Sequence, residues 1–183
     1  SAVASALRAE FHAQPAEVSA FALLASRHPS PCTAAYFLEL AQVVLAARSR
    51  LLDCLEELGT SGEEVAGEPV PTDVHPFIDF MTWLGANAGA AEAACAVRAD
   101  LLLWCGACSE MAERLGRSEH PVPRCIVDYF AHYATPPPRW VDGCHEVVAE
   151  NLAKGEDSST LGRAARIVPS TLPAFWGSAP TPA

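Results

Sequence analysis

Two thiols and a carboxylate lie within six residues of one another, at Cys105, Cys108 and Glu110. They sit in the run Leu101-Leu102-Leu103-Trp104-Cys105-Gly106-Ala107-Cys108-Ser109-Glu110-Met111-Ala112-Glu113-Arg114-Leu115. A thiol beside an acid can attack an electrophilic carbon and pass a proton, the logic of nucleophilic catalysis. Cys105 and Cys108 are three residues apart and share a face of a helix. A zinc site would need two more ligands from Cys95, Cys125, Cys144 or His145, and none of these forms a second pair at zinc-module spacing. The default for both thiols is therefore that of small buried hydrophobes. Glu110 precedes Arg114 by one turn, which makes either an exposed helix ion pair or a pocket acid.

The other chemistry-bearing residues are scattered. His28, His75 and His120 each precede a proline in a turn, and His132 and His145 fall on separate helices. No Glu-x-x-His pair of the di-iron bundle type occurs, so no metal and no cofactor is expected. Tyr129, Phe130, His132 and Tyr133 form an aromatic cluster that suits either core packing or a wall on which a flat heteroaromatic ring could stack. Trp176 is a second large aromatic of the same ambiguous kind.

The elements that would position these groups all read as helices. A helix opens at Pro15 and carries Val18, Phe21 and Leu24 as far as His28-Pro29. Ser30-Pro31 starts a second, with Ser30 as its cap and Phe37, Leu40, Val44, Ala47, Leu51, Leu55 and Leu58 recurring at steps of three and four until Gly59. Thr60 to Pro71 is a loop. Thr72-Asp73 caps a helix with Phe77, Phe80, Met81 and Leu84. A long helix runs from Ala90 to Leu115 and ends at Gly116. Further helices span Arg124 to Tyr133 and Arg139 to Lys154, and a last one starts at Thr160 and is broken by Pro169 and Pro173. No segment alternates with period two, so a sheet is not expected. The fold class is all-α, a single compact bundle of about seven to eight helices. The Pro-rich tail 179–183 lies beyond it.

Composition bounds the partners. Of 183 residues half are apolar and 19% are charged, which is the balance of a folded chain. A net charge of −10, with Lys154 the single lysine, excludes a phosphate-tracking surface and so a nucleic-acid partner. No apolar run is long enough to span a bilayer. Seven cysteines, mostly within Ala-rich helical stretches, favour reduced thiols in an intracellular reducing compartment, cytoplasm and organelle matrix being equally compatible.

Three segments resemble the TenA/thiaminase II family of the haem oxygenase-like fold. Leu101–Leu115 is similar to its Leu-Leu-Pro-Cys helix continuing into Glu-hydrophobic-small-Glu-basic-Leu. His120-Pro121-Val122 with Ile126-Val127-Asp128-Tyr129 is similar to its turn and Trp-Ile-x-x-Tyr helix. Phe175-Trp176-Gly177-Ser178-Ala179 is similar to its closing Phe-Trp-x-Met-Ala. The resemblance implies a TenA-like domain over residues 1–178, shortened at its N-terminus so that the first helix is missing. It also implies hydrolysis at a pyrimidine by a Cys nucleophile, a C-terminal pocket Glu, an early Asp and several Tyr. In register with Glu110, Trp104 occupies the Cys position and Cys108 the following Tyr position, with Cys105 one residue away. The Glu falls at Leu172 and the Asp near Arg8; Tyr129 alone matches.

The expected function is accordingly a degenerate TenA-like domain serving as a non-catalytic structural or accessory subunit, with protein partners or a second copy of itself. One alternative is an aminopyrimidine aminohydrolase of thiamin salvage, with Cys105 as nucleophile and Glu110 as acid. Another is a small-molecule-binding protein using the residual pocket, with Trp104, Cys108, Tyr129 and Trp176 as binding residues and a small heteroaromatic ligand.

Overall fold

The computed structural model describes the backbone of residues 2–119 and 122–176 and side chains as far as Leu172. Within these bounds the chain is helical throughout and contains no strand. The first helix, α1, spans Ala2–Arg27. It begins thirteen residues before the proline at which the sequence pattern places its start, because Pro15 lies inside it. Proline has no N–H, so the carbonyl one turn back, that of Phe11, loses its helical partner. Arg48 replaces it: its Nη1 donates to the Phe11 carbonyl at 3.0 Å. The same guanidinium lies 3.9 Å from the centre of the Phe11 ring. A tertiary contact thus carries the helix across its proline, and residues 2–14, expected outside the first helix, form its N-terminal half.

The second helix, α2, spans Pro31–Glu57 and turns out of its helix through Gly59, whose φ of 77° suits a residue without Cβ. Ser30 stands at its N-terminus but does not cap it; the hydroxyl donates instead to Glu150 at 3.0 Å. A short α3, Gly62–Gly67, occupies the segment expected as loop and is started by a reciprocal capping box between Ser61 and Glu64. The next helix, α4, covers His75–Asn87, and Arg27 of α1 closes its C-terminus by donating to the carbonyls of Gly85 and Ala88 at 2.7 and 3.1 Å.

Helix α5, Ala90–Gly116, follows at the expected bounds. Glu156 accepts hydrogen bonds from the amides of Ala91 and Glu92, both at 3.0 Å, which satisfies two free donors at the helix start. The remaining helices are α6, Arg124–Tyr133; α7, Pro138–Ala153; α8, Leu161–Ala165, preceded by a 3₁₀ turn at Ser158–Thr160; and α9, Val168–Trp176. Pro169 lies in the first turn of α9, where proline needs no partner, rather than ending a helix. The turn at His120-Pro121 and the tail 179–183 fall outside the described residues. No helix among the described residues is long and apolar enough to cross a membrane.

Two apolar cores hold these elements together. One gathers Phe21, Leu24, Phe37, Leu84, Val97 and Trp140 with the alanines of early α5. The other gathers Leu7, Phe11, Leu51, Cys108, Ile126 and Tyr129. Each long helix serves both. Along α1 the two alternate from Leu7 to Ala13, with Ala9 in the first core and Phe11 in the second; along α2 the change occurs between Val44 and Ala47, and along α5 between Leu101 and Trp104. Those three points lie at one level of the bundle, which is where its polar interior sits.

Candidate functional site

A cavity of about 40 Å³ opens at this seam, with α1 and α5 facing each other across it. Glu10, Gln14 and Glu17 come from α1, at spacings of four and three that put all three on one helical face. Asp100 and Trp104, one turn apart, come from α5. The remaining walls are apolar: Val43 and Val44 of α2, Phe21 of α1 and Trp140 of α7. Glu10 and Gln14 are buried, while Glu17 and Asp100 are half-buried. No lysine, arginine or histidine lines the cavity among the described residues.

Three carboxyls in a space this small shift one another. Burial, partly offset by hydrogen bonding from Trp104 and by the neighbouring Gln14 amide, pushes Glu10 from an ordinary 4.5 up to about 7. Burial and then the Glu10 charge push Asp100 up to about 7 as well. Glu17 is raised well above the usual range by burial, by Glu10 and by Asp100. The pocket therefore exchanges protons near neutral pH, where a general acid or base works best and where a carboxyl is otherwise fully ionised.

The polar groups here are under-satisfied. Both amide atoms of Gln14 lack a well-formed hydrogen bond although the residue is only 1% exposed. Asp100 Oδ1 and the Tyr129 hydroxyl are also buried without a partner. Each unmatched buried group costs about 1–3 kcal/mol, so a cluster of them beside a cavity is a place where water or a ligand would be held.

The residues singled out from sequence divide in two. Trp104 lines the cavity and its ring meets Tyr133 at 4.9 Å. Cys108 and Tyr129 pack just behind it, in the second core, and the Glu10 charge reaches both: Tyr129 and Cys108 are raised first by burial and then by Glu10. Cys105 is buried on another face of α5 and is not part of the cavity wall. Burial, reinforced by Asp100, pushes its thiol up to about 11. Only about one thiol in ten thousand would be ionised at neutral pH, the reverse of an activated nucleophile. Glu110 stands on the outer surface, its side chain 62% exposed and paired with Arg114. The ion-pair alternative describes it and the pocket-acid alternative does not. Trp176 ends α9, and its side chain lies outside the described residues.

Glu10, Gln14, Glu17 and Asp100 were missed in the sequence. Their signal was present: a Glu-x₃-Gln-x₂-Glu face in an otherwise apolar helix, and an aspartate between Ala99 and Leu101 one turn before Trp104. Reading Pro15 as a helix start cut that face in two. All seven cysteines are free thiols. No group of three or more His, Cys, Asp or Glu among the described residues is arranged to hold a metal ion, the three cavity acids included.

Fold and site together define an all-helical bundle with an acidic, proton-exchanging cavity at the seam of two cores. No family model and no curated protein matches the chain.

Proposed function

We propose that this chain is a non-catalytic helical domain that binds a small molecule in the cavity between α1 and α5. The observation that carries the reading is Gln14: a buried amide without a well-formed hydrogen bond at either end, lining a cavity beside Glu10 and Asp100. A bound molecule with hydrogen-bonding groups would satisfy it. The order and spacing of Leu101–Leu115, Ile126–Tyr129 and Phe175–Ala179 support kinship with the TenA-like fold. Hydrolysis of the family's kind finds no support in the thiols, since Cys105 is buried, protonated and off the cavity wall. A thermal-shift and calorimetric screen of the purified chain against small polar fragments, aminopyrimidines among them, tests the reading. Saturable binding that is lost in Gln14→Leu supports it; no binding by any fragment overturns it.

An accessory-subunit role is favoured by a separate observation. Leu38 and Leu45 are 49% and 54% exposed and lie two turns apart on one face of α2, and Leu102 and Leu103 are exposed on α5. Burying such side chains against another chain would be favourable. Sedimentation velocity decides this role: a stable monomer with no partner removes it. The seven free thiols support residence in a reducing compartment.

A further inference from the structure

We infer that the cavity between α1 and α5 is a site for a small ammonium group, held by the carboxylates of Glu10, Glu17 and Asp100. This rests on the ligand-binding reading above and names its chemistry.

The charge balance sets the sign of the ligand. Three acids enter the cavity and no basic side chain does, among the described residues. Behind the walls stand Cys105 and Cys108 on α5 and Tyr129 and Tyr133 on α6, all acids; Arg98 of α5 acts on Tyr36, Cys95 and Cys144 and does not line the cavity. Arg50 of α2 acts on Tyr133 and does not line the cavity. From α2 and α7 the walls are apolar, with Val43, Val44 and Trp140. An anion would meet repulsion from the acids of both α1 and α5. A neutral ligand would leave the acids holding their protons. A cation would let them ionise and would gain a charge-assisted hydrogen bond from each.

Geometry sets the kind of cation. Metal chelation is not available to these acids, because they are not arranged as a ligand set. The aromatic surfaces of Phe21, Trp104 and Trp140 line the same space, and aromatic rings attract organic ammonium ions. An alkylammonium offers three N–H donors, which the carboxylates and the idle Gln14 carbonyl can accept. The cavity of about 40 Å³ has room for about three water-sized groups. That suits a methylammonium-sized head, free or at the end of a longer ligand, and not a ring.

The test uses methylammonium chloride as probe against equal sodium chloride, following the thermal midpoint and tryptophan fluorescence at pH 8. The midpoint is expected to rise by about 3–6 °C at a probe concentration about ten times its dissociation constant. Binding should strengthen about tenfold or more between pH 6 and pH 8, as Glu10 and Asp100 give up their protons. Glu10→Gln and Asp100→Asn, both isosteric and uncharged, should fold and lose the response, while Glu110→Gln on the outer surface should keep it. Superimposed curves in the two salts, or an undiminished response in Glu10→Gln, overturn the inference. If methylammonium fails but neutral fragments bind, the ammonium assignment falls and the ligand-binding reading stands. If neither binds, both fall.

Discussion

Replacing Glu10 by glutamine should make the protein more stable above neutral pH and leave it almost unchanged in acid. Glu10 is 7% exposed, and its carboxyl is held at about 7 when the unfolded chain would have it near 4.5. Between those two values the folded state binds the proton and the unfolded state does not, so stability falls as pH rises. The contribution is fully present below 4.5 and gone above about 7. At about 1.4 kcal/mol per pH unit, the span corresponds to about 3 kcal/mol. Glutamine has the same shape and never ionises, and its carbonyl can still accept from Trp104. It also removes the charge that raises Asp100 and Glu17. Urea unfolding of wild type and Glu10→Gln in steps from pH 4.5 to 8.5 measures the effect. The difference in unfolding free energy should grow from near zero to about 3 kcal/mol in favour of the variant, a gain of about 6–12 °C in midpoint for a chain of this size. Parallel stability curves for the two proteins would refute the placement of Glu10 in a dry, acidic interior.

Other outcomes follow from the packing. Gly85→Ala should destabilise by about 1–3 kcal/mol in chemical denaturation, because a Cβ there would stand 2.8 Å from the Ala20 backbone where α4 crosses α1. Arg163→Ala removes two 2.8 Å hydrogen bonds from buried Glu92. The guanidinium is half in solvent, so the variant should unfold at a lower urea midpoint, but by less than loss of a fully enclosed pair would cause. Cys105 and Cys108 should resist iodoacetamide in the native protein at pH 7.5 by at least about a hundredfold relative to the urea-unfolded chain, read by peptide mass mapping.

The helices were legible wherever the apolar period and the punctuation agreed. α5 carries its stop in the sequence, and α2 has both a proline start and a positive-φ glycine end. The first helix was not, because a proline marks a helix start in most contexts. Continuing through Pro15 depends on Arg48, thirty-three residues away, which no local pattern announces. Ser30 fails as a cap for a similar reason: Glu150, 120 residues on, takes its hydroxyl. The candidate site suffered from the same blindness. Thiols and a surface glutamate on one helix were conspicuous by residue type, yet chemistry depends on which residues two distant helices turn toward each other. Trp104 and its neighbours Cys108 and Tyr129 could be picked out from sequence, by residue type and by register with Glu110, whereas the acids of α1 needed the fold.

The proline of α1 also falls inside the cavity wall. Glu10 and Gln14 precede it and Glu17 follows, so the ladder of backbone bonds is interrupted midway along one side of the chamber. Arg48, outside the cavity, bridges that gap by holding the Phe11 carbonyl. The spacing between the two halves of the wall is therefore governed by a side chain that never touches the contents. A change at Arg48 could retune what the chamber admits without altering a single residue that lines it.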